Sequence, residues 1–183
     1  MSGARLSGAA LTLALATLTA GCGGDATADP GPELTRNWPA AVAGGACQLL
    51  DYDTIKATLG TRFDTAGAGQ RGETYTCAVT AAGVEYPDLT LAVTATKADP
   101  VIFTATVVPS GSVAVTGLGR AAYRTRLDPA GKSGPRLEVG WLSGNQRLIV
   151  LRYSFPAKAP AADADALAPK LVELAKQIDQ TNI

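Results

Sequence analysis

Alternating polar and apolar residues predict two β-strands near the middle of the chain. In residues 74–80, threonines on one face alternate with apolar side chains such as Tyr75 and Cys77 on the other. Residues 88–96 repeat the pattern, with apolar side chains at every second position from Leu89. A period of two is typical of a half-buried strand. We expect these two strands to form a hairpin.

Further strands are predicted towards the C-terminus. Residues 121–127 and 136–141 alternate, whereas residues 147–155 are apolar on both faces in their middle. A continuous apolar run is typical of a central strand that is covered on both sides. Turns rich in Gly, Ser, Pro and Asp are expected at residues 128–135 and 143–145, between these strands.

Two helices are indicated at the ends of the domain. Asp51 is a candidate N-cap for a short helix that carries Ile55 and Leu59 and stops at Gly60. From Asp163 onward, leucines recur at steps of three and four residues, which predicts a C-terminal helix.

Prolines affect the prediction of the C-terminal helix and of a possible third helix at residues 98–109. Pro169 is tolerated if Asp165 caps the C-terminal helix, because it then falls within the first turn. Residues 98–109 are ambiguous. Asp99-Pro100 favours a short helix, and the β-branched residues that follow it favour a strand; of the two we expect the short helix.

These elements together predict an α+β domain. We expect a single antiparallel sheet of about five to six strands, packed by a short N-terminal helix and a C-terminal helix. The glycine-containing segments 67–72 and 117–120 are expected to be loops beside the sheet.

The N-terminus resembles a bacterial lipoprotein signal. Arg5 precedes an uninterrupted run of 13 Gly, Ala, Leu and Thr residues, too short at about 20 Å to span a bilayer as a helix. Thr19-Ala20-Gly21-Cys22 then resembles the lipobox, in which the cysteine is acylated and becomes the first residue after cleavage. We therefore expect a signal peptide at 1–21, a flexible tether at 22–45 that starts at lipidated Cys22, and an extracytoplasmic domain at 46–183. Such acyl chains hold a protein on the outer face of the cell membrane.

The number of cysteines fits an extracytoplasmic location. With Cys22 used for the lipid, only Cys47 and Cys77 remain of the three cysteines. Two thiols in an oxidising environment predict a disulfide that joins the start of the first helix to the buried side of the sheet.

Charge and residue types exclude several functions. Cleavage before Cys22 removes one cation, Arg5, and leaves 15 basic against 16 acidic residues, so no basic field favours nucleic acid. The sequence has no histidine, and its free thiols are accounted for, which leaves neither a catalytic triad nor a histidine-ligated metal. No cofactor is expected. The acidic pairs Asp51/Asp53 and Asp163/Asp165 lie at predicted helix starts, where carboxylates cap the helix.

Two glycine segments superficially suggest nucleotide binding. Gly117-Leu118-Gly119 lacks the third glycine and following helix of a dinucleotide loop. Gly131-Lys132-Ser133 lacks the upstream glycine of a P-loop. Both are interpreted as turns.

The order of features resembles an actinobacterial family of envelope lipoproteins of unknown function. The matching pieces are a Cys-x-Leu-Leu opening at 47–50, the strand cysteine Cys77, the Gly-Leu-Gly segment at 117–119, the hairpin around Gly144 and the C-terminal helix. The resemblance implies an envelope lipoprotein with a disulfide and supplies no catalytic residues.

The expected function is non-catalytic. We expect a ligand-binding or sensing module, with Arg120, Trp141 and Tyr153 as candidate ligand contacts near the sheet and the loops at 67–72 and 117–120. The alternative is a structural or accessory subunit of an envelope protein complex. A deep apolar pocket favours a small ligand, and a flat exposed apolar patch favours a protein partner. An enzyme that uses carboxylates alone is the least favoured hypothesis.

Overall fold

A computed structural model describes residues 39–180 as an α+β domain around one antiparallel sheet. Two short 3₁₀ helices, Ala40–Ala43 and Gly45–Leu49, precede everything else. The helices are α1 (Tyr52–Leu59), α2 (Pro100–Thr106) and α3 (Ala161–Asp179). The strands are β1 (Thr65–Arg71), β2 (Thr74–Thr80), β3 (Asp88–Ala95), β4 (Val113–Ala114), β5 (Ala121–Leu127), β6 (Ser133–Leu142) and β7 (Arg147–Pro156).

The α+β class, the single antiparallel sheet and the C-terminal helix are confirmed, but the predicted strand number is wrong. The sheet has seven strands in the order β1-β2-β3-β7-β6-β5-β4. The five strands named from the sequence are present as β2, β3, β5, β6 and β7, and the two additional strands are β1 and the two-residue β4. The sequence predicts β1 as a loop because its central residues alternate only between alanine and glycine. Its pairing is dictated by β2, whose backbone groups need a partner on that side.

The core lies between one face of the sheet and the helices. Ile55 and Leu59 of α1 and Leu171 and Leu174 of α3 pack against Leu151 and its neighbours on this face. These five side chains are at most 4 % exposed. We call this side of the sheet the helix face.

The opposite face is only partly covered. Here α2 places Phe103 against Tyr123 and Leu142, and Leu148 packs beside them. Elsewhere on this face several side chains remain half-buried, as at Thr90 and Val150, although Glu138 and Ser154 are buried. The prediction that β7 is central is therefore confirmed, while its second face is covered only at the end where α2 lies. We call this side the open face.

The disulfide prediction is also confirmed. Cys47 and Cys77 are bonded, with their Cα atoms 4.9 Å apart and both side chains fully buried. The bond joins the second 3₁₀ helix to β2 on the helix face.

The start of α3 and the start of β6 differ from the predictions. The α3 helix starts at Ala161, with Pro160 as N-cap, so Asp165 does not cap it and Pro169 lies inside it. The run of alanines before Asp165 favours helix strongly enough to extend it upstream. The turn predicted at 128–135 ends earlier, because β6 begins at Ser133 with a register irregularity before Arg136.

The described residues begin inside the predicted tether. Residues 40–43, predicted to lie in the tether, form a 3₁₀ helix whose Ala40 is 1 % exposed and packs on the core. The signal peptide, Cys22 and the first part of the tether lie outside the described residues. No helix in residues 39–180 is long and apolar enough to cross a membrane.

Candidate functional site

Trp141 and Tyr153, two of the predicted ligand contacts, belong to the core. Trp141 has no exposed surface, and its indole Nε1 donates a 2.9 Å hydrogen bond to Oδ1 of Asp179 on α3. Tyr153 is 4 % exposed, shares a 3.0 Å hydrogen bond with the Thr61 hydroxyl and packs against Phe63 and Phe155. Burial raises the pKa of the Tyr153 hydroxyl. Neither side chain faces solvent.

Arg120 lies elsewhere, at the end of a tightly held loop. Its backbone N–H donates to the Leu142 carbonyl at 2.7 Å, and the Gly119 N–H donates to Asp179 Oδ2 at 3.1 Å. A Cβ at Gly119 would lie 2.4 Å from the Leu142 oxygen, and its φ of +53° suits glycine. Gly119 therefore allows close packing of the loop on β6.

The two glycine segments expected beside one site lie far apart in the sheet. Residues 67–71 lie on β1 at one edge of the sheet, whereas residues 117–120 lead into β5 near the other edge. With adjacent strands about 4.8 Å apart, the two segments are separated by on the order of 25 Å. No ligand of small size can touch both.

Charged side chains meet on the open face around Glu138. Its Oε1 accepts a 2.8 Å hydrogen bond from the Tyr123 hydroxyl, and its Oε2 accepts from Nε of Arg152 at 3.0 Å and from the same guanidinium a second time. Glu138 is only 6 % exposed. Desolvation and the bond to Glu138 raise the pKa of Tyr123. Because both carboxylate oxygens are occupied, this cluster is a closed structural network.

Asp88 lies on the open face beside that network, two residues before Thr90, which pairs with Arg152. It pairs with Ser154 across β3 and β7, and its Oδ1 is buried without a hydrogen-bond partner among residues 39–180. Desolvation raises the pKa of its carboxyl group, against the lowering effects of Ser154, Arg152 and Arg136. The desolvation of the Asp88 carboxyl group is thus only partly offset by its hydrogen bond and the nearby arginines.

A groove at the end of the helix face offers the best accessible binding surface. It is an open groove of about 350 Å³ between the second 3₁₀ helix and the ends of the central strands. Tyr75, Val93 and Leu49 form its apolar floor, and Gln48, Asn145 and Arg147 line its rim. Tyr75 is 42 % exposed, an unusual value for an aromatic side chain on the core side of a sheet.

The polar groups of this groove are free to bind. Within the described part of the chain, neither the Tyr75 hydroxyl nor the Arg147 guanidinium has a hydrogen-bond or ion-pair partner. Lys97 and Glu73 lie in the adjoining depression with Arg147, so the rim carries two cations and one acid. An apolar floor with a few polar groups at its edge is the usual composition of a small-molecule site.

Sequence reasoning did not find this groove. Tyr75 alternates with Cys77 as a core residue would, and Arg147 looks like an ordinary polar strand start. Only the position of the 3₁₀ helix, which stops short of the strand ends, leaves Tyr75 uncovered. No group of three or more acidic or cysteine side chains within residues 39–180 is placed to hold a metal ion. Comparison with known protein families, with characterised proteins and with solved structures gives no match.

Proposed function

We propose that this protein is a lipid-anchored, extracytoplasmic module that binds a small ligand without catalysing a reaction. The observation that carries the binding role is the groove, with its uncovered Tyr75 and its unpaired Arg147. The anchor rests on the Thr19-Ala20-Gly21-Cys22 motif and on the resemblance to actinobacterial envelope lipoproteins. A buried disulfide fits an oxidising compartment.

The chemistry of the groove favours an amphipathic anion. The ring of Tyr75 and the side chains of Val93 and Leu49 would cover an apolar body. Arg147 would hold a carboxylate or phosphate through paired N–H donors, a geometry that guanidinium provides and ammonium does not. Gln48 and Asn145 add amide groups that bind hydroxyl or amide substituents.

The acidic residues considered for catalysis are engaged elsewhere. Asp51 caps α1 by accepting a 2.8 Å hydrogen bond from the Thr54 N–H, and Asp165 pairs with Arg126 at 3.2 Å. Asp53 and Asp163 lie in the first turns of α1 and α3, where the helix dipole stabilises acidic groups. These roles support a non-catalytic protein.

A matched pair of ligands tests the binding site. We expect 2-naphthoate to bind the protein more tightly than the uncharged 2-naphthamide, as measured by chemical-shift titration. Arg147→Gln should abolish that preference, and Tyr75→Ala should weaken both ligands. Arg120→Gln, an exposed arginine outside the groove, is the control. Equal affinities of wild type and Arg147→Gln for 2-naphthoate would refute the groove as an anion site.

Mass spectrometry of the N-terminal peptide tests the anchor separately. The expected species begins at Cys22 and carries acyl chains, and Cys22→Ala should release the protein from the membrane fraction. An unmodified chain that begins upstream of residue 22 would refute the lipid anchor while leaving the groove untouched.

A second function, an accessory subunit of an envelope complex, is favoured by α2. Val101 and Ile102 on this helix are 75 % and 49 % exposed, and an adjacent pair of exposed apolar side chains suits a protein contact. Cross-linking in native membranes followed by mass spectrometry distinguishes the two functions. A reproducible protein partner that is lost with Val101→Ser/Ile102→Ser would replace the small-ligand proposal.

A further inference from the structure

The outer edge of β1 is exposed and has little protection against pairing with another strand. All its residues except Ala66 are exposed, and its register with β2 runs without a bulge from Thr65 to Arg71. In the part of the chain that the structure describes, no backbone group hydrogen-bonds to its outer side. Proteins usually protect such edges with charges, proline, bulges or short length. The opposite edge, β4, is protected by being two residues long, whereas β1 has a single charge, Arg71, at its end.

We propose that β1 pairs antiparallel with β1 of a second copy of this chain, so that two sheets become one continuous sheet. An exposed edge strand binds another strand through its backbone, and pockets between its side chains select the sequence that binds. The centre of β1, Ala66-Gly67-Ala68-Gly69, offers no such pockets for a foreign peptide. Its small side chains do allow an identical strand to pair alongside it.

Symmetry limits this pairing to a few registers, and the small residues at the centre of β1 favour the one centred on Ala68. Directly opposite residues must point to the same face, so the two-fold axis passes through a residue position. With the axis at Ala68, Gly67 lies opposite Gly69 of the second copy and Thr65 lies opposite Arg71 of the second copy. The centre of the interface then contains only alanine and glycine, which bring the backbones together without steric conflict.

Exposed apolar residues flank the edge at opposite ends. Val42, which is 63 % exposed, lies beside Thr65 and Ala66, and Tyr75, which is 42 % exposed, pairs with Gln70 at the other end. In the proposed register Ala66 lies opposite Gln70 of the second copy. Each Val42 therefore lies near Gln70 of the second copy, which separates it from Tyr75 of that chain, so the contact covers part of one exposed apolar side chain per copy.

Both copies can be anchored to one membrane. Pro39 lies beside Thr65, and the two Thr65 residues of the dimer are six positions apart along the strands, or about 20 Å. The 16 residues between Cys22 and Pro39 span at most about 55 Å when fully extended. Two tethers therefore reach the same surface, and sharing a membrane raises the effective concentration of the copies.

Cysteine pairing tests the register directly. Two differently tagged full-length chains, Thr65→Cys and Arg71→Cys, are produced together and oxidised in the membrane. Both positions lie on the open face, away from the native disulfide. We expect a cross-linked heterodimer from the mixture and only the parental background from either chain alone. No product above background, equal product from Thr65→Cys alone, or cross-links only to another protein would overturn the proposal.

A matched pair of lysine substitutions tests the edge itself. Gly67 and Gly144 both have ordinary φ, and a Cβ at either meets no atom within 4 Å, so both substitutions are tolerated sterically. In the cysteine background, Gly67→Lys should reduce the cross-linked fraction at least tenfold, and Gly144→Lys should leave it unchanged. Equal effects of the two substitutions would contradict pairing through β1.

Discussion

At the scale of single residues, the open face shows how a buried acidic side chain is accommodated in a sheet. Glu138 belongs to a strand whose neighbouring positions are fully buried, and its carboxylate is paired with the Arg152 guanidinium and the Tyr123 hydroxyl. Gly140 leaves the space that the Tyr123 ring needs, since a Cβ there would lie 2.4 Å from the ring. Removing Arg152 or Tyr123 leaves one oxygen of the buried Glu138 carboxylate without its hydrogen-bond donor.

Arg152→Ala should therefore destabilise the domain by about 3 kcal/mol. This is the low end of the range for breaking a buried ion pair, because Arg152 itself is 39 % exposed. Arg126→Ala is the matched control, because its ion pair with Asp165 is 52 % and 71 % exposed and should contribute less than about 1 kcal/mol. Urea unfolding of the two variants measures the difference. Equal losses would show that the Glu138 network adds nothing beyond a surface pair.

Asp88 should make stability depend on pH. Its carboxyl group has the ordinary pKa of 3.8 when the chain is unfolded and a raised pKa when it is folded, so the folded state holds the proton more tightly. The contribution of Asp88 is most favourable below pH 3.8 and is lost as the pH rises through the folded pKa. Asp88→Asn, which does not ionise, should gain stability relative to wild type between acidic and neutral pH. A constant difference across that range in urea unfolding would contradict the assignment.

At the scale of elements, local chemistry made α1 predictable and left β1 hidden. Asp51 and Gly60 mark the two ends of α1 in the sequence and in the structure. An N-cap and a left-handed C-cap glycine act through neighbouring residues, so they can be predicted locally. The same holds for α2, where Asp99 accepts from the N–H groups of Val101 and Ile102. The β1 strand has no apolar alternation, and it forms because β2 needs a partner, which is a tertiary effect.

The candidate site was hidden for a related reason. Tyr75 has the sequence pattern of a core residue, and its exposure depends on where the second 3₁₀ helix lies on the sheet, which is a tertiary feature. Trp141 is the opposite case. Its place in a hairpin suggested an exposed ligand contact, but α3 covers it and Asp179 accepts its indole hydrogen bond. Sequence periodicity predicts which face of a strand is apolar. It does not predict where the covering element ends.

Asp51→Ala should destabilise α1 and with it the domain by about 1 kcal/mol, because it removes the acceptor for the Thr54 N–H. The Thr54 hydrogen bonds lower the pKa of Asp51, so its contribution is present at neutral pH and is lost as the pH falls through that lowered pKa. Asp53→Ala, in the same turn but without a capping hydrogen bond, should cost about 0.3 kcal/mol at low salt. Thermal unfolding at neutral pH compares the two. A larger effect of Asp53→Ala would contradict the capping role of Asp51.

At the scale of the whole molecule, the disulfide holds a part of the core that helix and sheet hydrogen bonds secure only weakly. The second 3₁₀ helix has no capping side chain and few residues, yet its Cys47 and Ala46 are buried against the sheet. The bond to Cys77 closes a separation of 30 residues that includes α1 and β1. Both the groove and the β1 edge adjoin this pinned segment.

Replacing both cysteines with alanine should therefore lower the unfolding free energy by roughly 3 to 4 kcal/mol, the chain-entropy value for a loop of this length. Because the second 3₁₀ helix forms one wall of the groove, loosening it should also reduce 2-naphthoate affinity before the domain unfolds. Hydrogen exchange should show the greatest loss of protection at residues 45–49 and the least in β6 and β7, which lie in the middle of the sheet. A uniform loss across all strands would mean that the disulfide stabilises the fold only globally, and that the wall of the groove is held by packing of Ala46 and Leu50 on the core.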